Sequence, residues 1–305
     1  MKIAIVQDSG CIEKRWAKDY ASLCEKNGIE YRIFNSYDSN FIKDVCSYLP
    51  YKVLWRSGHM LGAKEKDVFQ RQFLGEVVNL HLVPNWNLHK YYDNKVFQTY
   101  LFQKLNIPHP ETKVFYSKAE AKEHIQTCEY PFVVKSNAGA GSKGTRFCFN
   151  VSEAENQLDE CFGDGIEYGA NCREIGLFYM QEYIEAPGIF RIVMVGDDVG
   201  YSFYQSNRPG TLIASSQGFD SYPDTPIELL NRSRVINIKV GWQYCMYDWI
   251  WSEIKQKWYV LEITDTCGQG HSAKRTYTYY FNNGEWEKKA ENTTPQELIF
   301  RDQIL

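Results

Sequence analysis

No run of apolar residues in this 305-residue chain approaches the 18 or so that a membrane-crossing helix needs, so no segment is expected to span a bilayer. Excess positive charge is missing too. Lys and Arg number 34 against 38 Asp and Glu, a net charge of -4, without the basic footprint of a nucleic-acid binder. The 9 cysteines contain no C-x-x-C pair and the 6 histidines are scattered. That argues against a zinc site and for reduced thiols in a cytoplasm. Met1 to Val6 carries one lysine and a short apolar run. This is too little for a signal peptide, and a first buried strand is expected instead. There are no internal repeats and no low-complexity tracts. What is present is the composition of a globular enzyme with room for two or three subdomains, enriched in tyrosine (22) and tryptophan (8).

The most informative stretch runs from Tyr130 to Asn150, YPFVVKSNAGAGSKGTRFCFN. An apolar run ends in Lys135, and a loop follows with Gly139-x-Gly141-x-x-Gly144. This spacing resembles a dinucleotide fingerprint, but that fingerprint opens a helix. Here Thr145-Arg146-Phe147-Cys148-Phe149 alternates polar and apolar residues, as a half-buried strand does. The reading is strand, flexible loop, strand: a loop whose N–H groups can bond the phosphate oxygens of a nucleotide triphosphate. Lys135 shares a strand face with Val133, opposite Phe132 and Val134, so one face can hold a nucleotide.

Upstream, strands expected at Lys2–Gln7, Glu30–Phe34, Tyr51–Arg56 and His81–Pro84 alternate with helices at Ile12–Asn27, Phe41–Leu49 and Glu65–Leu74. This alternation predicts a small open α/β domain over residues 1–87. Its loops near Gln7–Gly10 and Arg56–Leu61 follow strand ends, where such sheets bind ligands. Asp93 or Asn94 can cap a helix ending at Leu105, and Pro108 and Pro110 then impose an extended path. Ser117 and Ser152 are expected N-caps of two more helices. Beyond Leu177–Ile184, hairpins are predicted at Phe190–Val195/Val199–Tyr204 and Cys245–Ser252/Trp258–Ile263, with a helix at Pro226–Gly241 between them. Residues 271–305 suggest no function.

Five phrases occur in a telling order. They are Asn94-Lys95 before a helix, Ile107-Pro108-x-Pro110-x-Thr112, Pro131-Phe132-Val133-Val134-Lys135, Gln181-Glu182-Tyr183-Ile184 and Leu261-Glu262-Ile263. Over residues 85–270 the chain resembles the ATP-grasp superfamily, in particular ligases related to glutathione synthase and ribosomal-protein glutamate ligase. The resemblance implies an α/β and α+β architecture. An N-terminal open parallel α/β domain (1–87) would precede two α+β subdomains (88–179 and 180–305) that clasp ATP. It implies that Lys95 and Lys135 bind ATP phosphates beneath a lid formed by Gly139, Ala140, Gly141, Ser142 and Gly144. The Gln181 side chain and the backbones of Glu182, Tyr183 and Ile184 would meet adenine. The usual ribose-binding acid is missing after this hinge, and Glu185 is the nearest substitute.

Asp248 and Glu262 stand on the two arms of a predicted hairpin, each in an apolar, aromatic strand. Carboxylates there are costly unless paired or bound to metal. The resemblance implies that they hold two Mg²⁺ ions that bridge the phosphates. An asparagine usually follows two residues after the glutamate. Here Thr264 takes that place, with Asp265 next to it as the other candidate. Arg191 and Arg208 would steady the transferring group, since a planar guanidinium suits acyl phosphate and carboxylate. The implied activity is an ATP-dependent carboxylate–amine ligase working through an acyl phosphate on small-molecule acids and amines, cytoplasmic and homodimeric. Specificity is expected to lie in the N-terminal loops and in Gln205–Asp220. A kinase of a small-molecule hydroxyl, or a nucleotide-binding protein without turnover, stays open as an alternative.

Overall fold

A computed structural model describes the chain except for residues 9, 57, 59–62, 140, 170–171, 215–218, 267–276 and 292, and the side chains of 11, 12 and 63. Ala140 and most of the loop after Arg56 lie outside the described residues, as do positions 215–218 of the expected specificity loop.

The N-terminal sheet is parallel, in the order β2-β1-β3-β4, from β1 (Lys2–Gln7), β2 (Glu30–Asn35), β3 (Lys52–Trp55) and β4 (Leu82–Val83). The unbroken apolar run of β1 follows from its position between two layers. Ile3 and Ile5 pack on Trp16, Tyr20 and Cys24 of α1 (Cys11–Lys26). Ala4 and Val6 share a cluster with Phe41 and Val45 of α2 (Phe41–Tyr48). A strand covered on both faces has no polar side to show. The third helix, α3 (Ala63–Gln72), runs on into a π-helical turn at Phe73–Val77.

The central sheet is antiparallel, β5-β10-β6-β7. Its strands are β5 (Thr112–Phe115), β6 (Phe132–Lys135), β7 (Thr145–Cys148) and β10 (Phe178–Glu182). Two helices, α6 (Lys118–Ile125) and α7 (Val151–Phe162), cover one face through a core that includes Ala121, Ile125, Phe132, Val134 and Leu158. The cap of α7 is Asn150, whose side chain accepts from the Glu153 N–H, and not the expected Ser152, which lies inside the helix. A small hairpin, β8 (Ile166–Gly169) with β9 (Cys172–Glu174), is an addition to the sequence reading.

The largest sheet runs β15-β14-β11-β12-β16-β17, with β13 (Asp220–Ser221) paired to β12. It comprises β11 (Gly188–Val195), β12 (Val199–Ser206), β14 (Tyr244–Ser252), β15 (Lys257–Thr264), β16 (Thr278–Asn282) and β17 (Glu285–Lys289). One face packs Ile192, Met194, Tyr247 and Trp249 against α8 (Ile227–Val240) and α5 (Lys95–Leu105). Just before α5, the single turn α4 (Trp86–His89) adds Leu88 to that core. The last helix, α9 (Pro295–Ile304), opens with a capping box between Thr294 and Glu297. Its Leu298, Ile299 and Phe300 wedge between α1 and the strand pair β11–β12.

These contacts move two expected boundaries. The division at 179/180 cuts β10, a strand bonded wholly to the central sheet, so the sheets separate after Glu182. The division at 87/88 assigns α5 to the central unit, yet its core residue Phe102 packs on the large sheet.

Candidate active site

A cavity of about 620 Å³ lies between the central and large sheets. The central sheet contributes Lys135 and the Gln181–Ile184 hinge. The facing wall holds Arg191, Asp248, Glu262 and Thr264, and Gly139, Gly141, Ser142 and Gly144 border it above. Arg56, Tyr92, Asp93 and Lys95 close the end next to the N-terminal sheet.

The acidic wall is a consequence of strand register. Arg191 on β11 pairs with Asp248 on β14, and Asp248 pairs with Glu262 on β15, so three charged side chains form one row across three strands. A bulge after Asp248 shifts the register by one residue. Trp249 then pairs with Val260, leaving Leu261 as the extra residue. Bulges re-aim side chains in this way beside functional sites. Thr264, two residues on from Glu262, keeps the same face. Asp265 turns away into the core, where its Oδ2 lies 2.7 Å from Nδ1 of buried His89. Asp265 is therefore not a wall of the cavity, and it cannot complete a metal site from that position.

Arg191 Nη2 sits 3.1 Å from Asp248 Oδ2, while the buried Oδ1 of Asp248 has no hydrogen-bond partner. Burial pushes the Asp248 carboxyl up to about 6, with Arg191 opposing the shift and Glu262 adding to it. Among the described residues no cluster of three or more His, Cys, Asp or Glu could hold a metal. An orphaned carboxylate oxygen beside a second carboxylate fits Mg²⁺, which takes one or two protein carboxylates and completes its shell with phosphate and water. Thr264 Oγ1 is already engaged, by the Thr266 hydroxyl at 2.9 Å and the Thr266 N–H at 3.1 Å.

Lys135 faces this wall from the end of β6. Desolvation, reinforced by Lys95, lowers its amine from 10.5 to about 8, against the pull of Glu262 and Asp248. Lys95 is the first residue of α5, behind the Asn94 cap. Its Nζ is 4.0 Å from Glu262 and 3.9 Å from Asp93, and it donates to the Gly139 carbonyl at 3.3 Å. Asp93 does not cap α5; its Oδ1 accepts the Gly139 N–H at 2.6 Å. That N–H, expected to serve phosphate oxygens, is thus turned to a carboxylate.

The glycines of the loop are sterically required. Gly139 has φ +119° with Tyr168 packed against it, and a Cβ on Gly144 would overlap Ser136 Oγ. Arg208 does not line the cavity. Its Nη2 donates to the Gly141 carbonyl at 3.1 Å, tying the segment after β12 to the glycine loop.

At the hinge, the apolar walls are in place. Ile184, Ile189, Ile250 and Tyr259 form one cluster with Leu261 against it, and Tyr183 meets the Phe147 ring edge-on at 5.7 Å. The polar partners differ from expectation. The Glu182 N–H donates to the Glu111 carbonyl at 2.7 Å, and its carboxylate pairs with Lys255, so this N–H is not free for a base. The Gln181 amide is buried and bonded to Lys135 at 2.6 Å. Glu185 is exposed and does not border the cavity.

Sequence reading missed Asp93 as a loop anchor and Gln98 as a brace. Gln98, 1% exposed on α5, bonds both the N–H and the carbonyl of Ile263, at 3.0 and 2.9 Å, and so fixes the strand beside Glu262. A polar amide on the apolar face of a short helix is the signal that could have marked it.

The geometry has counterparts among known proteins. Residues 93–180 match the family model for the phosphoribosylglycinamide synthetase ATP-grasp (A) domain. The D-alanine–D-alanine ligase from Bacillus anthracis superposes with a TM-score of 0.63 at 14% identity, over 88% of each chain. The fold of this chain is therefore of the ATP-grasp kind. A second ATP-grasp structure, the ligase PsnB complexed with minimal precursor, gives a TM-score of 0.63 at 14% identity over 92% of this chain and 95% of PsnB. In sequence, the alpha-aminoadipate–LysW ligase LysX of Saccharolobus solfataricus is 28% identical over 134 residues, 43% of this chain. The chain spans less than half the length of the curated relatives it matches, 46% for LysX.

Proposed function

We propose that this ATP-grasp protein is an ATP-dependent carboxylate–amine ligase. The observation that carries the reading is the meeting, in one cavity, of two lysines from different units with the Arg191–Asp248–Glu262 row. Its relatives named above are ligases, which supports the same class. ATP brings roughly four negative charges, which cations and N–H donors must neutralise. Lys135 and Lys95 take the phosphate charge, and Ile184, Leu261 and Val133 flank adenine. Asp248 and Glu262 would hold Mg²⁺, which would supply further positive charge against the phosphates.

A carboxylate oxygen of the acid attacks the γ-phosphorus, the bond to the β-bridging oxygen breaks, and ADP leaves with that electron pair. An acyl phosphate results. The amine nitrogen adds to its carbonyl carbon, loses a proton, and expels inorganic phosphate to give the amide. The protein's part is placement and electrostatics, as in phosphoryl transfer generally. Arg191 is positioned to steady the oxyanion of the addition step. Cytoplasmic residence and a homodimer complete the proposal, with sedimentation as the check on the latter.

The test is purified protein with ATP, Mg²⁺ and panels of acids and amines. ADP release that needs both partners, and hydroxamate formation when hydroxylamine replaces the amine, support the ligase. ADP formation with a phosphorylated hydroxyl product and no need for amine overturns it in favour of a kinase.

A further inference from the structure

The two phosphate-facing lysines stand on different units, and a run of buried hydrogen bonds joins them. Lys135 Nζ donates to Gln181 Oε1 at 2.6 Å. The Nε2 of the same amide donates to Thr112 Oγ1 at 3.0 Å and to the Tyr179 hydroxyl at 3.3 Å. Tyr179 OH and Thr99 Oγ1 are 2.8 Å apart, and Thr99 Oγ1 donates to the Lys95 carbonyl at 2.9 Å. Gln181, Thr112, Tyr179 and Thr99 are each at most 7% exposed.

The proton positions in this run are forced. Thr99 commits its hydroxyl proton to Lys95, so Tyr179 must donate to Thr99 and accept from Gln181. Thr112 commits its own proton to the Pro110 carbonyl at 2.8 Å, so it too can only accept. Both acceptors therefore call for the NH₂ end of Gln181. The oxygen end is left to face Lys135, and an amide flip would set donor against donor at Lys135 and acceptor against acceptor at Thr112 and Tyr179. Among the described residues Gln181 Oε1 is the hydrogen-bond acceptor of the Lys135 amine. Both N–H bonds of the amide are committed and its oxygen accepts from Lys135, so the amide has no donor over for a base.

We infer that Gln181 is a positioning residue: it places the Lys135 amine and holds it as an ammonium ion for the phosphates, and it does not read adenine. The inference rests on the ATP reading above. The other charged or titratable groups around Lys135 are Lys95 from α5, Asp248 from β14, Glu262 from β15 and Tyr179 from its own sheet.

The experiment compares binding of ATP and of inorganic tripolyphosphate, which has no base, by calorimetry with Mg²⁺ present. Gln181→Met should weaken both ligands equally, about tenfold, the scale of a lost hydrogen bond to a charged group. It should add nothing on a Lys135→Met background. A loss for ATP alone overturns the inference, because adenine contact is then the role, and no loss for either overturns it as well. The alkaline limit of binding gives an independent readout through the isosteric Gln181→Glu. That limit should move to lower pH in Gln181→Met, where the ammonium loses its acceptor. In Gln181→Glu, where a carboxylate favours the ammonium, it should move to higher pH. A limit that stays put in both variants overturns the assignment. Wild-type protein that binds neither ligand overturns the ATP reading and the inference with it.

Discussion

Two sets of buried charges face one another across the junction of the N-terminal sheet and the cavity, and they are balanced differently. At the carboxyl ends of β1 to β3, Lys66 lies 2.9 Å from Asp8 and 2.8 Å from Asp67, and Ser36 Oγ is within 2.6 Å. Arg56 meets Glu13 at 2.6 Å and the Trp16 ring at 5.4 Å. Lys66 and Arg56 each have an anion within the fold, and buried Arg71 donates to the Trp55 carbonyl at 2.9 Å. In the cavity, Lys135 has a neutral amide as its partner and Asp248 keeps an oxygen without one. The first set is solved internally and serves the fold. The second leaves a cation without an anion bonded to it and one carboxylate oxygen without a partner, which is what a site for a charged ligand with its metal needs.

Lysine removal should expose this contrast most strongly. Lys66→Met strands two carboxylates that are nearly inaccessible, and should lower unfolding free energy by about 3 kcal/mol, read by chemical denaturation. Lys135→Met should do the opposite in the ligand-free protein. It should raise stability by about 1–3 kcal/mol while nucleotide binding falls at least tenfold. If Lys135→Met destabilises as much as Lys66→Met, the comparison fails.

A pH series sharpens it further. The Lys135 amine is at about 8 in the folded chain against 10.5 ordinarily. Between those values the unfolded chain carries a proton that the folded chain has released. Stability from this group therefore rises with pH across the window. Nucleotide affinity should fall across the same window as the ammonium is lost, so the two profiles slope in opposite directions. Lys135→Met should flatten both. A smaller effect is expected from metal removal. Chelation of Mg²⁺ should weaken ATP binding to the wild type but leave Asp248→Asn unchanged, and equal chelator sensitivity in the two proteins would count against Asp248 as a ligand. Smallest of all, Asn150→Ala should cost about 1 kcal/mol through the lost cap, where Ser152→Ala costs under 0.5.

Much of this was legible in the chain. The lysine at the end of an apolar strand, the glycine loop before a second strand, and the two acids in aromatic strands all fall where period and turn chemistry put them. What the chain did not show depended on neighbours distant in sequence. The bonds of Gln181 to Thr112 and Lys135 were hidden because nothing local says that β10 lies between β5 and β6. Asp265 was offered as a metal ligand although an alternation of two, starting from Glu262, already turns it to the opposite face. The last helix carried its own signature, Thr294-Pro295-Gln296-Glu297, a capping box with proline at the first helical position. That signal was present and simply says nothing about function, because α9 fastens one sheet to another.

That fastening divides the molecule mechanically. Gln296 reaches Asp19 of α1 at 2.9 Å, and Lys52 bonds the Gln303 carbonyl, so the two ends of the chain lock the N-terminal sheet and the large sheet into a single block. The central sheet joins that block through two covalent connections, residues 106–111 and 183–187. Both are stiffened by proline, at 108, 110 and 187, and they are laced together where the Glu182 N–H meets the Glu111 carbonyl. The two short straps run side by side, joined by that bond, at one edge of the central sheet. The jaw that carries Lys135 and the glycine loop is thus held to the anvil that carries Asp248 and Glu262 by these straps and by α5, whose Val96 packs against Leu177 and Tyr179.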